Sequence, residues 1–153
     1  GVAVLDGHLY AVGGLSDLST YLNSVEKYDP KTNQWRNVQS MSSKRFYLGV
    51  TVLDGSLYAV GGSSGGRTWL NSVEKYDPVK NQWSDDTPMS SKRQLPGVTV
   101  LDGSLYVVGG RNDTSVEKAV ISTTSTTSAA MSINTVELPT FVVLFVAFIA
   151  VHI

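Results

Sequence analysis

Two histidines, His8 and His152, are all the imidazole in the 153-residue chain, and there is no cysteine. A metal centre needs three or four ligands held together, and two histidines this far apart on unlike segments do not supply a set. Without cysteine there is neither a thiolate site nor a disulfide framework. No Ser/His/Asp arrangement is apparent either. Three glycine pairs, Gly13-Gly14, Gly61-Gly62 and Gly109-Gly110, could be taken for phosphate loops. They lack the Gly-Lys-Ser/Thr that follows in such a loop, and no helical pattern begins there to offer its N-terminus. Twelve basic residues against thirteen acidic ones give a net charge of −1, which offers no field for nucleic acid or an acidic surface. No catalytic, cofactor-binding or metal-binding residue is expected. The remaining candidates are aromatic and arginine side chains, the types that concentrate binding energy at surfaces.

Those side chains sit in a repeat. Residues 1–48 laid over 49–96 are identical at 31 of 48 positions without a gap. The opening "GVAVLDGHLYAVGG" at Gly1 returns at Gly49 and again at Gly97. "NSVEKYDP", "NQW" and "MSSKR" each occur in both of the first two copies. His8 falls where the later copies have Ser56 and Ser104, which fits a replaceable strand position. Self-similarity at a fixed period of this length points to a repeat architecture.

One unit reads as four short strands. Val2 to Leu5 is apolar and β-branched, and Asp6-Gly7 is a two-residue hairpin signal, since both residues tolerate positive φ. His8 to Val12 returns and ends on the glycine pair, placed where a side chain would collide or φ is positive. Ser24 to Tyr28 alternates with a period of two. Asp29-Pro30 opens a turn, and Gln34 to Val38, holding Trp35, is the fourth strand. No helical periodicity is visible inside the unit.

Four antiparallel strands per repeat, with fixed aromatics, is the pattern of a propeller blade. The glycine pair after "LYAV", then Tyr28 and Tyr76, Trp35 and Trp83, resembles the kelch repeat. "NSVEKYDP", "NQW" and "MSSKR" before "GV" resemble the kelch-like branch that carries BTB and BACK domains. The resemblance covers residues 1 to about 118 and implies an all-β, incomplete kelch-type propeller. Blades are expected at 1–48 and 49–96, with a partial one at 97–118. In the third copy "SVEK" returns after a loop five residues shorter, Ala119 replaces the tyrosine, and no Asp-Pro or Trp follows. Since propellers close with about four to eight blades, the chain reads as a fragment whose other blades lie elsewhere in a parent protein. The copper oxidases among kelch proteins use Tyr, Cys and His ligands, and this sequence has no Cys and no suitable His.

From Ile121 the composition changes. A Ser/Thr-rich linker is expected over 119–140, followed by an apolar tail at 141–153. Thirteen apolar residues fall short of the roughly twenty of a spanning helix. Three readings stay open for this end. It is a truncation or gene-model product, a membrane tail, or a lipid-anchor signal with small residues at Ser128, Ala129 and Ala130. Asn112-Asp113-Thr114 would supply a glycosylation sequon.

The repeats also indicate a face. In an up-and-down blade the loop between the second and third strands shares an edge with the link to the next blade. On that edge "LSDLSTYL" (15–22) becomes "SSGGRTWL" (63–70), and "FYL" (46–48) becomes "QLP" (94–96). The tight-turn edge hardly varies. Tailored positions on a regular scaffold suggest recognition. Asp17, Tyr47, Arg67, Trp69, Leu95 and Arg111 are therefore the candidates for partner contact. Tyr28, Trp35, Tyr76 and Trp83 are expected to pack blades, and Arg45 and Arg93, recurring before the inner strand, to make structural pairs. The resemblance implies a protein-binding module that recognises substrates for a cullin-based ubiquitin ligase in the cytoplasm, with the BTB domain outside this sequence. Attachment to actin and the cytoskeleton is an alternative within the family. A surface glycoprotein anchored to membrane or lipid through 141–153 is an alternative of another class.

Overall fold

The computed structural model describes residues 1–17, 19–111, 113–119 and 135–136. The apolar tail, Asn112 and nearly all of the 119–140 segment lie outside the described residues. Among the described residues there is no helix, and every named strand pairing is antiparallel.

Three four-stranded sheets follow one another along the chain. The first is β1 (Val2–Leu5), β2 (His8–Ser16), β3 (Thr20–Asp29) and β4 (Gln34–Val38), in sequence order. In the second, β5 (Gly49–Leu53) and β6 (Ser56–Val60) precede a two-stranded ribbon, β7 (Ser63–Gly65) with β8 (Thr68–Trp69). Then β9 (Val73–Asp77) and β10 (Gln82–Asp86) complete that sheet. The third holds β11 (Gly97–Leu101), β12 (Ser104–Val108), β13 (Val116–Ala119) and β14 (Thr135–Val136). The strand β14 lies inside the segment read from sequence as a linker. It pairs Val136 with Val116 and Thr135 with Glu117, adding an edge to the third sheet.

The hairpin signals act as their chemistry dictates. Asp6 and Gly7 have φ of 49° and 71°, and Asp54-Gly55 and Asp102-Gly103 repeat the pattern. Positive φ at both central residues matches the right-handed twist of the flanking strands. At the second turn Asn33 and Asn81 are left-handed, with φ of 54° and 52°. Each asparagine accepts from its own tyrosine, Tyr28 or Tyr76, at 2.8 Å. One local difference from the sequence reading is β2, which runs past the glycine pair to Ser16 through a bulge between Val12 and Gly14. In the second sheet the ladder stops at Val60, and the excursion becomes the β7–β8 ribbon.

The core lies between sheets. Leu5, Tyr10, Val12 and Val25 of the first sheet, with Met41 from the link that follows it, meet Leu57, Ala59 and Tyr76 of the second. Leu53, Tyr58, Val60, Val73 and Met89 meet Leu105 and Val107 of the third. The first strands β1, β5 and β11 are neighbours, with β5 in the middle. Burying apolar side chains between stacked blades is the dominant stabilising term here, and the second interface repeats the buried positions of the first shifted by 48 residues, Tyr76 excepted.

Polar latches pin those interfaces. The backbone N–H and hydroxyl of Ser42 donate to Glu74 Oε2 at 2.7 and 2.8 Å. Arg45, fully buried, donates from Nε and Nη2 to Glu74 Oε1 at 3.0 and 2.9 Å, and from Nη1 to the Gly61 and Ser72 carbonyls. Arg93 makes the corresponding bonds to the carbonyls of Gly109 and Ser115. The two recurrent arginines are thus structural, as the sequence suggests. Burial works against the charged form of Glu74. The backbone and hydroxyl bonds from Ser42, and then Arg45, outweigh it and hold the carboxyl below its ordinary value.

Candidate recognition rim

The variable loops converge on one edge because backbone bonds tie them there. Arg45 N–H donates to the Leu22 carbonyl and Gly14 N–H to the Arg45 carbonyl, fastening the exit of one blade beside its own β2–β3 loop. Phe46 and Ser63 exchange two backbone bonds, which carries the link into the next blade's loop. The glycines make room for this. A Cβ on Gly61 would stand 2.7 Å from the Arg93 carbonyl oxygen, and one on Gly62 would stand 2.8 Å from that of Phe46. Gly14 differs, since its φ is 125° but nothing lies within 4 Å of the added atom. The glycine pairs therefore do not carry equal steric loads.

Directly after the latch each blade presents one side chain from a left-handed residue. Tyr47 has φ of 54° and is 52% exposed; Leu95, its counterpart, has φ of 57° and is 55% exposed. Bulky residues rarely adopt that conformation, and where they do the surroundings must hold them. Here Leu95 N–H donates to the Tyr47 carbonyl at 2.8 Å, so consecutive rim residues are hydrogen-bonded across the blade boundary. The Tyr47 ring lies 4.6 Å from that of Phe46, which lies 4.8 Å from Tyr21.

A cavity of about 510 Å3 opens between these residues, lined by Tyr47, Gln94, Leu95, Gly110 and Arg111. Gln94 is only 4% exposed, and its Oε1 is buried without a hydrogen-bond partner among the described residues. A buried, unpaired amide oxygen is costly in a packed interior and unusual in a native structure. Arg111 is exposed at the mouth, and its backbone N–H donates to the Gln94 carbonyl at 2.7 Å.

Of the six candidates read from sequence, three meet here: Tyr47, Leu95 and Arg111. Asp17, exposed with φ of 51°, accepts from the Ser16 hydroxyl and lies outside the cavity. Arg67 is exposed between β7 and β8, and Trp69 is half-buried in β8; neither lines the cavity. Sequence reasoning missed Gln94. Its only signal was a place in the varying "FYL"/"QLP" stretch, opposite Phe46.

Of the fixed aromatics, Tyr76 and Trp83 belong to the core between the first two sheets, whereas Tyr28 and Trp35 pair within their own blade and Trp35 is 48% exposed. Tyr28 lies 5.2 Å from Trp35 and Tyr76 5.1 Å from Trp83, ring centre to ring centre. Trp83 Nε1 donates to the Gln39 carbonyl of the previous blade at 2.9 Å. Lys27, Lys75 and Lys118 stand over Tyr10, Tyr58 and Tyr106 at 5.6–5.8 Å, one such pair per blade. Burial, then nearby acidic charge, pushes the Tyr58 phenol upward, away from any neutral-pH titration. His8 Nδ1 lies 2.7 Å from the Asp6 carbonyl, a hairpin contact. Among the described residues no three His, Cys, Asp or Glu side chains gather as a metal site, and no helix is long and apolar enough to cross a membrane.

Repeated four-stranded sheets, stacked with their first strands adjacent and each carrying a glycine pair at the end of the Leu-Tyr strand, define a propeller-type repeat protein. The kelch motif family model matches residues 1–42 and 44–90, and the chain belongs to that family. It is 42% identical over 45 residues to Kelch-like protein 42 of Homo sapiens, covering 29% of this chain and 9% of that protein. Over 41 residues it is 54% identical to Kelch-like protein 26 of Danio rerio, covering 27% of this chain and 7% of that one. In three dimensions it resembles the structure of YjhT, a kelch propeller, with a TM-score of 0.67 at 20% identity over 76% of this chain and 47% of that one. The chain thus matches only a small part of the curated relatives' length.

Proposed function

We propose that this chain forms part of a non-catalytic propeller that binds a protein partner through its variable-loop edge. In that reading it supplies the substrate-recognition surface of a cullin-based ubiquitin ligase adaptor. The observation that carries it is the pair Tyr47 and Leu95. Both occupy the same repeat position, are held left-handed and half exposed, and flank a cavity that Gln94, Gly110 and Arg111 also line. The side chains differ from blade to blade although the backbone conformation is the same, and strained positions cluster where ligands are met. The names of the kelch-like relatives support the adaptor role by family membership.

The test is a binding titration of the full-length protein with a partner recovered by affinity capture. Tyr47→Ala, Leu95→Ala and Arg111→Ala should each weaken binding by at least about 1 kcal/mol while the melting temperature holds, as for exposed side chains of hot-spot type. Lys31→Ala, in the opposite turn, should be neutral. Loss of binding on the turn side alone would refute the assignment of the face. Ubiquitination of the captured partner, absent when the rim variants replace the native protein, tests the adaptor role separately.

A further inference from the structure

The first and second blade boundaries share a backbone plan. Phe46 exchanges two backbone bonds with Ser63, and 48 positions further on the Arg111 N–H donates to the Gln94 carbonyl. What stands on that plan differs. At the first boundary the Phe46 ring has Tyr21 and Tyr47 as neighbours, with ring centres 4.8 and 4.6 Å away. The β7–β8 ribbon lies against this aromatic group, since a Cβ on Gly65 would stand 2.8 Å from the Tyr21 ring.

At the second boundary Gln94 takes the place of the phenylalanine, and among the described residues no ribbon follows Gly110. The cavity of about 510 Å3 opens there. Tyr47 is shared between the two boundaries: its ring packs on Phe46 and also lines the cavity. Gly110, with φ of 128°, adds no side chain to fill the space. No carboxylate lines it either. Asp113, two residues beyond Arg111, is engaged by Arg93 and by the Ser115 N–H and hydroxyl. The exposed Arg111 guanidinium has no ion pair among the described residues.

We infer that this cavity is a subsite for an aromatic side chain of the protein partner, which packs on Tyr47 beside Leu95 while a neighbouring carboxylate meets Arg111. Two observations fix the occupant. The first boundary shows a ring packed against Tyr47 in the tilted contact that aromatic pairs favour, and the second lacks that ring. The cation at the mouth, with no acid beside it on the wall, selects an acidic residue next to the aromatic one. The inference rests on the reading of this edge as a protein-binding face and gives that face a ligand chemistry.

The test uses the full chain and three capped dipeptides, acetyl-Asp-Phe-amide, acetyl-Asp-Leu-amide and acetyl-Asn-Phe-amide. Binding is read from the amide resonances of Leu95, Gly110 and Arg111. Replacing phenylalanine by leucine in the peptide should weaken binding about threefold to tenfold, the size of an aromatic pair. Replacing aspartate by asparagine should weaken it about twofold to fivefold, the size of an exposed ion pair. Tyr47→Leu should erase the first preference and Arg111→Gln the second, each leaving the other in place. Gln94→Phe gives the second boundary the residue of the first and should remove binding of all three peptides. If that variant fails to fold, the exposed Tyr47 and Arg111 positions still decide. Equal binding of the leucine peptide, a charge preference that survives Arg111→Gln, or no saturable shift at millimolar concentration overturns the subsite. The face is judged separately, by the captured partner. If Tyr47→Ala and Arg111→Ala weaken its binding while the peptides fail, the face stands and the aromatic subsite falls. If the peptides bind but the captured partner is indifferent to both variants, the reading of the face falls and takes the partner assignment with it.

Discussion

The first and second blade interfaces are built from one motif, yet their arginines end differently. Arg45 turns Nε and Nη2 onto one oxygen of Glu74, at 3.0 and 2.9 Å. Arg93 stands 3.6 Å from Glu117, and its Nε is buried without a partner among the described residues. Its Nη1 instead reaches Asp113 at 3.2 Å. The cause lies in the receiving loop. Between Gly110 and Ser115 the chain is five residues shorter than between Gly62 and Ser72, and the short loop brings Asp113 beside the guanidinium. There Asp113 also accepts from the Ser115 N–H and hydroxyl at 2.8 and 2.7 Å. An identical donor segment thus yields a close, two-pronged pair in one place and a split arrangement in the other. The motif specifies that an arginine arrives, and the loop specifies what it finds.

The sharpest way to break that comparison is to remove each arginine in turn. Arg45→Ala strands the buried Glu74 carboxylate and should cost about 3–5 kcal/mol by urea denaturation. Arg93→Ala should cost less, about 1–3 kcal/mol, because Arg93 stands 3.6 Å from Glu117 and so gives up no close bond to it. Equal costs would mean that the distances carry no energetic meaning. Next in size are the glycine pairs. Gly62→Val meets the Phe46 carbonyl as well as positive φ and should lose about 2–4 kcal/mol, whereas Gly14→Val, with open space, should lose about 1–2. Thermal melts of the two variants should separate accordingly.

Acid sharpens the comparison further. Because the folded state holds the Glu74 carboxyl below its ordinary 4.5, the unfolded chain takes up its proton first. Stability from this group is therefore fully present above about pH 5 and is lost as pH falls through the lower folded value. Glu74→Gln should flatten that part of a stability-against-pH curve, and an unchanged slope would move the acid sensitivity elsewhere. The smallest effect belongs to the rim. Leu95→Gly relieves a left-handed backbone at little packing cost, so folding stability should change by no more than about 1 kcal/mol in either direction, read by the same melts.

The hairpins, the blade period and the structural role of the arginines were legible because each is local or repeated. Asp6-Gly7 can form only a few turns, and Tyr28 with Trp35 recurs where the ladder needs it. The ribbon of β7 and β8 was not legible, since Ser63 to Trp69 shares little with Leu15 to Tyr21 and carries no strand alternation. Gln94 was hidden for a related reason: its isolation follows from the wall around it, not from its type. Nothing in a tyrosine or a leucine announces positive φ. At Tyr47 and Leu95 that conformation comes from bonds to neighbouring blades, which one repeat read alone does not contain. The β14 pairing depends on two residues in a stretch whose composition speaks against strands.

The latch also changes what counts as one unit of folding. Arg45 belongs by sequence to the first repeat, but its acceptors Gly61, Ser72 and Glu74 are made only after 16 to 29 further residues. The cooperative module is therefore out of phase with the 48-residue repeat, with its seam through the middle of the next blade rather than at Leu48. Stability then passes along the chain by nearest-neighbour coupling, as in other repeat arrays. During synthesis each blade stays provisional until the blade after it has emerged far enough to receive its arginine.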